Sequence, residues 1–241
     1  FAPRSARRGR EGTTRVVLES ERLGAESVWS AEAWAHDGMT PFAYLAAKTS
    51  RIKLGTGITQ VGTRSPALVA MTAMTLDSMS GGRFILGLGA SGPQVIEGWH
   101  GLPYDKPLTR TKEVIEVVRM ALRRETLEYR GKTITLPLPA DQGTGLGKPL
   151  KMLTKPERSS IPIYVAALGA KSVESTAAIA DGWLPFLFVP ELHDKVWGEA
   201  LRAGAARRSS DLKPLEISAG GMVAVGEDVK GLLDFVRPIA A

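Results

Sequence analysis

The sequence contains no cysteine in 241 residues. This absence excludes disulfide bonds, a thiolate nucleophile and any cysteine-ligated metal from this chain. A protein without disulfides is compatible with the reducing cytoplasm, which is the compartment we expect. There is also no run of about eighteen apolar residues, so no membrane-spanning segment is predicted.

Histidine is scarce as well, because His36, His100 and His193 are the only three in the chain. They are too scattered for the HxxxH or HExxH spacing that places two ligands on one helix face, and no metal site is predicted. No GxSxG nucleophile elbow occurs. No GxGxxG fingerprint opens a first βα unit, which disfavours dinucleotide binding.

Positive charge is concentrated at the start of the chain. Residues 1–15 contain five arginines and one glutamate, and so carry four of the six net positive charges. The remainder is nearly neutral and has no basic stripe interleaved with aromatic side chains, so nucleic-acid binding is not predicted. We expect residues 1–12 to form a basic, disordered segment and residues 13–241 to form the folded domain.

Apolar and polar patterning predicts alternating helices and strands after this segment. The predicted helices are 13–23, 41–49, 66–79, one around 114–122, 171–180, 190–205 and one that begins near 229. The predicted strands are 27–31, 52–58, 84–89, 161–167, 183–188 and 215–225. Residues 127–160 interrupt this rhythm with Gly, Pro and Lys, and we expect a surface insertion with a hairpin over 129–136.

Strands and helices that alternate in this way form βα units, whose right-handed crossovers build a parallel sheet. The six predicted strands are almost continuously apolar, as in sheets covered on both faces. This pattern fits an open doubly wound sheet and a (β/α)8 barrel equally well. In either architecture, ligands bind at the carboxyl ends of the strands.

The stretch from residue 83 to residue 101 is the main candidate for a site at such an end. A buried strand rich in glycine leads through small residues to Glu97, Trp99 and His100. Glycine there permits either the close approach of a flat ligand or a tight turn, and the stretch alone does not decide between them. Few acid or base groups follow the strands, which favours a redox enzyme whose cofactor supplies the chemistry.

Four segments, at residues 27–37, 54–101, 107–119 and 162–185, closely resemble the luciferase-like oxidoreductase family, in particular its branch that uses the deazaflavin coenzyme F420. The resemblance spans residues 13–237. It implies a (β/α)8 TIM barrel, coenzyme F420 or alternatively FMN, and hydride transfer to or from a small organic substrate. We also expect the chain to form a homodimer.

The resemblance also implies roles for individual residues. Glu32 stands where relatives place an acid near the ring, and Ala33 stands where many of them have histidine. A cis peptide is implied between Gly57 and Ile58, and Glu97 is the preferred nearby acid. The residues implied to bind the cofactor are Gly57, Ile58, Thr59, Ser91 and Gly92 at the ring, and Gly169, Ala170 and Lys171 at the phosphate.

Two departures from the family pattern affect these expectations. Neither the first nor the eighth barrel strand is recognisable, so we expect an incomplete barrel in a truncated member of the family. Such a chain would have unpaired sheet edges. A non-catalytic remnant of the barrel is therefore one alternative. An FMN-dependent monooxygenase of the same family is the other.

Overall fold

Parallel strands alternate with helices along the computed structural model, which describes residues 10–158, 160–220, 227–231 and 234. The chain divides into two units, residues 1–163 and 164–241, and each is described by itself. None of the helices among the described residues has both the length and the apolar character needed to cross a bilayer.

The first unit contains most of the predicted βα repeats. Its elements are α1 (Arg10–Arg22), β1 (Ser27–Ser30), α2 (Thr40–Ala46), β2 (Lys53–Thr56), β3 (Thr59–Gln60), α3 (Pro66–Met79), β4 (Phe84–Gly89), α4 (Pro93–Ile96), α5 (Pro107–Leu122), β5 (Tyr129–Arg130) and β6 (Thr135–Leu136). A 3-10 turn lies at Ala140–Gln142.

The sheet of the first unit is parallel and centred on β4, whose six residues are all buried. β1 pairs with β2, and β2 pairs with β4. The predicted strand 52–58 is wrong in one respect: it ends at Thr56, and β3 follows as a separate strand that also pairs with β4. The break falls at Gly57-Ile58, whose peptide bond is cis, as the resemblance implied.

The second unit has β7 (Ile163–Ala166), which begins at the boundary, then α6 (Ala170–Ile179), β8 (Gly182–Leu184), α7 (His193–Ala205) and β9 (Glu216–Ile217). β7 pairs in parallel with β8, and β8 with β9. Trp183 is fully buried in the core of this unit and packs edge-on against Trp197, with ring centroids 5.2 Å apart.

Two predicted strands of the second unit are shorter than expected. β8 stops before Pro185, which has no backbone N–H to donate to a neighbouring strand, and Leu187 then adopts a left-handed φ of 52°. β9 covers Glu216–Ile217, and residues 218–220 are not strand. Residues 221–225 of the predicted strand and most of the last predicted helix lie outside the described residues.

Both ends of α1 can be compared with the prediction. The helix begins at Arg10, so residues 10–12 are helical and the expected boundary of the disordered segment at residue 12 is wrong; residues 1–9 lie outside the described part. The helix ends at Arg22, one residue before the predicted end, and Gly24 follows with a φ of +91° that favours glycine.

The insertion at 127–160 is anchored to α5 by one buried carboxylate. Glu113 accepts hydrogen bonds from Lys132 N, Thr133 N, Thr133 Oγ1 and Ile134 N at 2.6–2.9 Å. A Cβ at Gly131 would lie 2.5 Å from the Glu113 carboxylate, so only glycine leaves room for it. The predicted hairpin is confirmed, and Glu113 is what holds its turn in place.

Glu113 also makes this anchor sensitive to pH. Burial acts to raise its pKa, but the hydrogen bonds from Thr133, Lys132 and Ile134 outweigh burial and lower it. Glu113 therefore stabilises the fold above the ordinary carboxyl pKa of about 4.3, and this contribution is lost as the pH falls through the lowered value.

We predict that Glu113→Gln lowers the free energy of unfolding at pH 7 by about 1–3 kcal/mol, because an amide nitrogen would face backbone donors. The variant and the wild type should converge in acid. Urea unfolding followed by circular dichroism at pH 7 and pH 3 measures both effects. Glu128→Gln, at an exposed side chain beside the same hairpin, is the control, and an equal cost for the two variants would contradict the assignment.

Candidate functional site

The carboxyl ends of β1, β2 and β4 lie at one edge of the first unit's sheet, because the three strands are parallel neighbours. The segments that follow them are residues 31–39, residues 57–65, which include β3, and residues 90–106, which include α4. These segments carry most of the residues that the sequence predicts for the site.

Glu32, the first residue of that set, is held on both oxygens. Arg64 Nη1 donates to Glu32 Oε1 at 2.5 Å and Arg64 Nη2 donates to Glu32 Oε2 at 2.9 Å. The backbone N–H of Gly38 also donates to Glu32 Oε2, at 2.9 Å. The Glu32 side chain is only 8% exposed. Two-oxygen pairing of this kind is the strongest geometry available to arginine and carboxylate.

Asp37 takes part in the same network. Arg64 Nη2 donates to Asp37 Oδ2 at 2.5 Å, while Asp37 Oδ1 accepts from the N–H groups of Met39 and Thr40 at 2.8 and 2.6 Å. The N–H groups at the start of α2 are thus satisfied by the Asp37 carboxylate, which lies before the helix. Loop 31–39, the start of α2 and the loop after β3 are thus connected through Arg64.

This network shifts the pKa of two of its members. Burial acts to raise the pKa of Asp37, but the amides of Thr40 and Met39 and the charge of Arg64 outweigh burial and lower it. The Glu32 hydrogen bond is the main cause of a raised pKa at Arg64. Both shifts favour the charged forms.

An open pocket of about 310 Å³ lies beside this network. It is bounded by the loops after β1, β3 and β4. Its lining residues are Glu32, Ala33, Ala35, His36, Asp37, Thr63, Arg64, Trp99 and His100. No group of three or more histidine, aspartate or glutamate side chains among the described residues is arranged to hold a metal.

Gly89, at the end of β4, has a structural neighbour that explains its lack of a side chain. A Cβ at Gly89 would lie 2.9 Å from Ile58 Cγ1, so the residue makes room for Ile58. The glycine at this strand end is therefore required by a contact within the protein.

β3 carries two buried polar side chains, each of which has an atom without a hydrogen-bond partner. Thr59 Oγ1 and Gln60 Oε1 are the two such atoms among the described residues. Gln60 Nε2 donates to the Glu32 carbonyl at 3.4 Å, which leaves the other end of the amide as an acceptor. Buried polar atoms are normally paired, and those that are not often mark a missing ligand or water.

The loop after β4 contributes Trp99 and His100 to the pocket, whereas its predicted residues Ser91, Gly92 and Glu97 are not among the lining residues. Ser91 has a left-handed φ of 60°, and its carbonyl accepts from Tyr104 Oη at 3.1 Å. Gly92 is the residue before α4. Glu97 is exposed, and its Oε1 accepts from Tyr104 N at 3.3 Å. Glu97 does not line the 310 Å³ pocket.

The predicted phosphate site lies in the second unit. Gly169 is the residue before α6 and provides no side-chain cap, and Ala170 and Lys171 are the first exposed residues of that helix. Two indoles fix the preceding backbone, since Trp183 Nε1 donates to Ala167 O at 2.9 Å and Trp197 Nε1 donates to Leu168 O at 2.8 Å.

Comparison with known proteins decides the family. The profile of the luciferase-like monooxygenases matches residues 4–240. The chain belongs to the luciferase-like monooxygenase family. A Mycobacterium tuberculosis protein named as a coenzyme F420-dependent oxidoreductase is 42% identical over 230 residues, covering 94% of this chain and 66% of the relative. A 5,10-methylenetetrahydromethanopterin reductase of Methanolobus tindarius is 32% identical over 213 residues, covering 87% and 60%.

Solved structures of luciferase-like proteins agree with this assignment. The coenzyme F420-dependent tetrahydromethanopterin reductase of Methanopyrus kandleri matches with a TM-score of 0.77 and 27% identity, over 92% of this chain and 65% of that one. A monooxygenase from Streptomyces bottropensis, at 22% identity and a TM-score of 0.74, shows the shared fold alone. The luciferase-like barrel expected from the resemblance is confirmed, and the chain spans 60–66% of the length of the two curated relatives.

Within this luciferase-like framework, sequence reasoning misses one residue of the site. Arg64 is not predicted because nothing near it in sequence indicates its partners, which lie 27 and 32 positions away. Gln60 does give a signal, because it and Thr59 are the polar pair that follows the predicted strand 52–58.

We predict that Arg64→Met lowers the free energy of unfolding by about 2–3 kcal/mol, because Glu32 and Asp37 would lose their shared cation. Arg64→Lys should cost less, since it retains the charge without the two-oxygen geometry. Chemical unfolding measures both. Arg22→Met, which breaks the exposed pair with Glu19, is the control and should cost less than about 1 kcal/mol. A cost at Arg64 no larger than that of the control would contradict the network.

Proposed function

We propose that this chain is part of an F420-dependent oxidoreductase that transfers a hydride between the deazaflavin and a small organic substrate. The observation that carries the proposal is the pair of unpartnered polar atoms, Thr59 Oγ1 and Gln60 Oε1, in the strand beside the Gly57-Ile58 peptide. A heterocyclic ring with N–H and C=O groups has the functional groups that such atoms need. The F420-dependent relative at 42% identity supports the same assignment.

The residues proposed to hold the cofactor fall into two sets. Gly57, Ile58, Thr59, Ser91 and Gly92 would contact the ring. Gly169, Ala170 and Lys171 would receive the phosphate, a role supported by the uncapped start of α6, where free N–H groups and the helix dipole favour an anion.

Bound F420 supplies the hydride chemistry, and the chain supplies position and proton handling. We assign Glu32 a positioning role, because both of its oxygens accept hydrogen bonds from Arg64 and Gly38. Glu97 is the proposed acid, since its side chain is exposed and the Tyr104 N–H contacts only Oε1, so that Oε2 faces solvent for proton exchange. The cytoplasmic location stays a prediction.

FMN is the alternative cofactor, with an oxygen-dependent monooxygenase as the corresponding activity. FMN also has a flat ring and a phosphate, so the same residues would bind it. A non-catalytic remnant of the barrel is the alternative from another class, and it would bind neither cofactor.

Cofactor titrations distinguish these cases, with fluorescence as the measurement. We predict that the wild type binds F420 more tightly than FMN. Thr59→Val should weaken F420 binding about fivefold, the effect of about 1 kcal/mol for one hydrogen bond, and should leave the melting temperature of the free protein unchanged or higher. The melting temperature should not fall, because the substitution removes a hydroxyl that has no partner in the free protein.

The control is Thr126→Val, at an exposed position after α5, which should not change cofactor affinity. Tighter binding of FMN would favour the monooxygenase alternative. A folded sample that binds neither cofactor would overturn the oxidoreductase proposal. Equal affinity of Thr59→Val and wild type would remove Thr59 from the ring site.

We further propose that the chain forms the expected homodimer through the outer face of α3. Leu68, Met71 and Met79 on this face are each about half exposed. Asp77 is the one charged residue of the helix, and it is buried and paired with Arg158. A solvated helix normally carries charge on its outer face, whereas an uncharged face can meet its own copy across a two-fold axis without repulsion.

We predict that Met71→Glu raises the dimer dissociation constant at least about a hundredfold, because a carboxylate would be desolvated in an apolar contact. Light scattering after size-exclusion chromatography, over a range of protein concentrations, measures the change. Leu153→Glu is the control, since Leu153 is 92% exposed and belongs to the insertion rather than to α3. A wild type that stays monomeric throughout would contradict the proposal.

A further inference from the structure

The 310 Å³ pocket of the first unit has an excess of negative charge. Its charged lining residues are Glu32, Asp37 and Arg64, so two carboxylates face one guanidinium. All three hydrogen bonds that Arg64 donates to side chains go to these two carboxylates. An anion that entered the pocket would have to compete with both for the same cation, and Arg64 is therefore poorly placed to attract one.

An aromatic surface lies at the same pocket. The Trp99 side chain is 65% exposed although it lines the pocket, and no aromatic partner covers it among the described residues. The negative face of an indole attracts cations and is the best of the aromatic side chains for this purpose. His36 and His100 add two further rings to the lining.

Asp37 is the carboxylate that remains within reach of a ligand. Its side chain is 41% exposed, compared with 8% for Glu32. One Asp37 oxygen is occupied by the two N–H groups at the start of α2, and the other shares Arg64 with Glu32. That second oxygen carries negative charge that one shared guanidinium does not fully balance.

We propose that this pocket recognises a small organic cation, a protonated amine or a quaternary ammonium group, with Asp37 as its counter-charge and Trp99 as its aromatic contact. The inference rests on the proposed function, because it names the class of substrate that the oxidoreductase would hold at its strand ends. The cationic group serves for recognition and is not itself the reacting atom.

Choline is a suitable probe, because 3,3-dimethylbutan-1-ol has the same shape without the charge and 3,3-dimethylbutanoate carries the opposite charge. Isothermal titration of the full chain should show binding of choline. We expect the neutral alcohol to bind about tenfold more weakly, as the loss of a cation–π contact and of charge attraction predicts. The carboxylate should not bind measurably.

Two tryptophan variants test the site itself. Trp99→Leu should weaken choline binding about tenfold. Trp34→Leu is the matched control, since Trp34 is 57% exposed on the loop after β1 but does not line the pocket. Neither substitution removes a buried side chain, so both variants should melt like the wild type and show that the fold is intact.

The outcomes separate this inference from the proposed function. Choline binding that Trp99→Leu weakens and Trp34→Leu does not would support the site. Equal binding of choline and the neutral alcohol, preferential binding of the carboxylate, equal loss in both variants, or no binding of choline would each overturn it. Titration of the same sample with F420 tests the proposed function by itself. A protein that binds F420 but not choline therefore refutes the cation site alone.

Discussion

The guanidinium of Arg64 is the constraint on which the rest of the candidate site depends. It joins Glu32 and Asp37, and through them the loop after β1, the loop after β3 and the first turn of α2. Each carboxylate also accepts a hydrogen bond from the backbone. The position of each carboxylate and the path of the main chain around it therefore depend on each other. Removing the one cation would leave two nearby carboxylates, an arrangement that proteins do not tolerate without cost.

Single charged side chains also bind several backbone groups at places away from the strand ends. Glu113 holds the turn of the insertion hairpin through four donors, and Glu21 Oε1 accepts from the three consecutive N–H groups that directly precede β2. Arg83 performs the converse function by donating to one carbonyl at the end of α2 and one just after it. Irregular segments of this chain are thus ordered by single charged side chains that satisfy several backbone groups at once.

The unpartnered atoms of β3 contrast with this pattern. Among the described residues of the first unit, the other buried side-chain nitrogen and oxygen atoms have hydrogen-bond partners, whereas Thr59 and Gln60 each retain an atom with none. An unpaired buried polar atom lowers the stability of a protein, and such atoms are commonly found at functional sites. The pocket beside Glu32 is distinct in character, since it is open, net negative and aromatic. The first unit therefore combines features that suit a polar ring with features that suit a charged substrate.

Local patterns in the sequence determined the elements that depend on neighbours along the chain. The bounds of β4 and α3 agree with the predicted strand 84–89 and helix 66–79, because an apolar run of six residues and the Ser65-Pro66 start of the helix act within one strand or turn. The family resemblance indicated the barrel and the Gly57-Ile58 peptide. Only the tertiary structure showed that Asp37 caps α2, that Gly89 makes room for Ile58 and that Arg64 joins two carboxylates, because each of these contacts depends on where the folded chain brings residues that local sequence patterns do not connect.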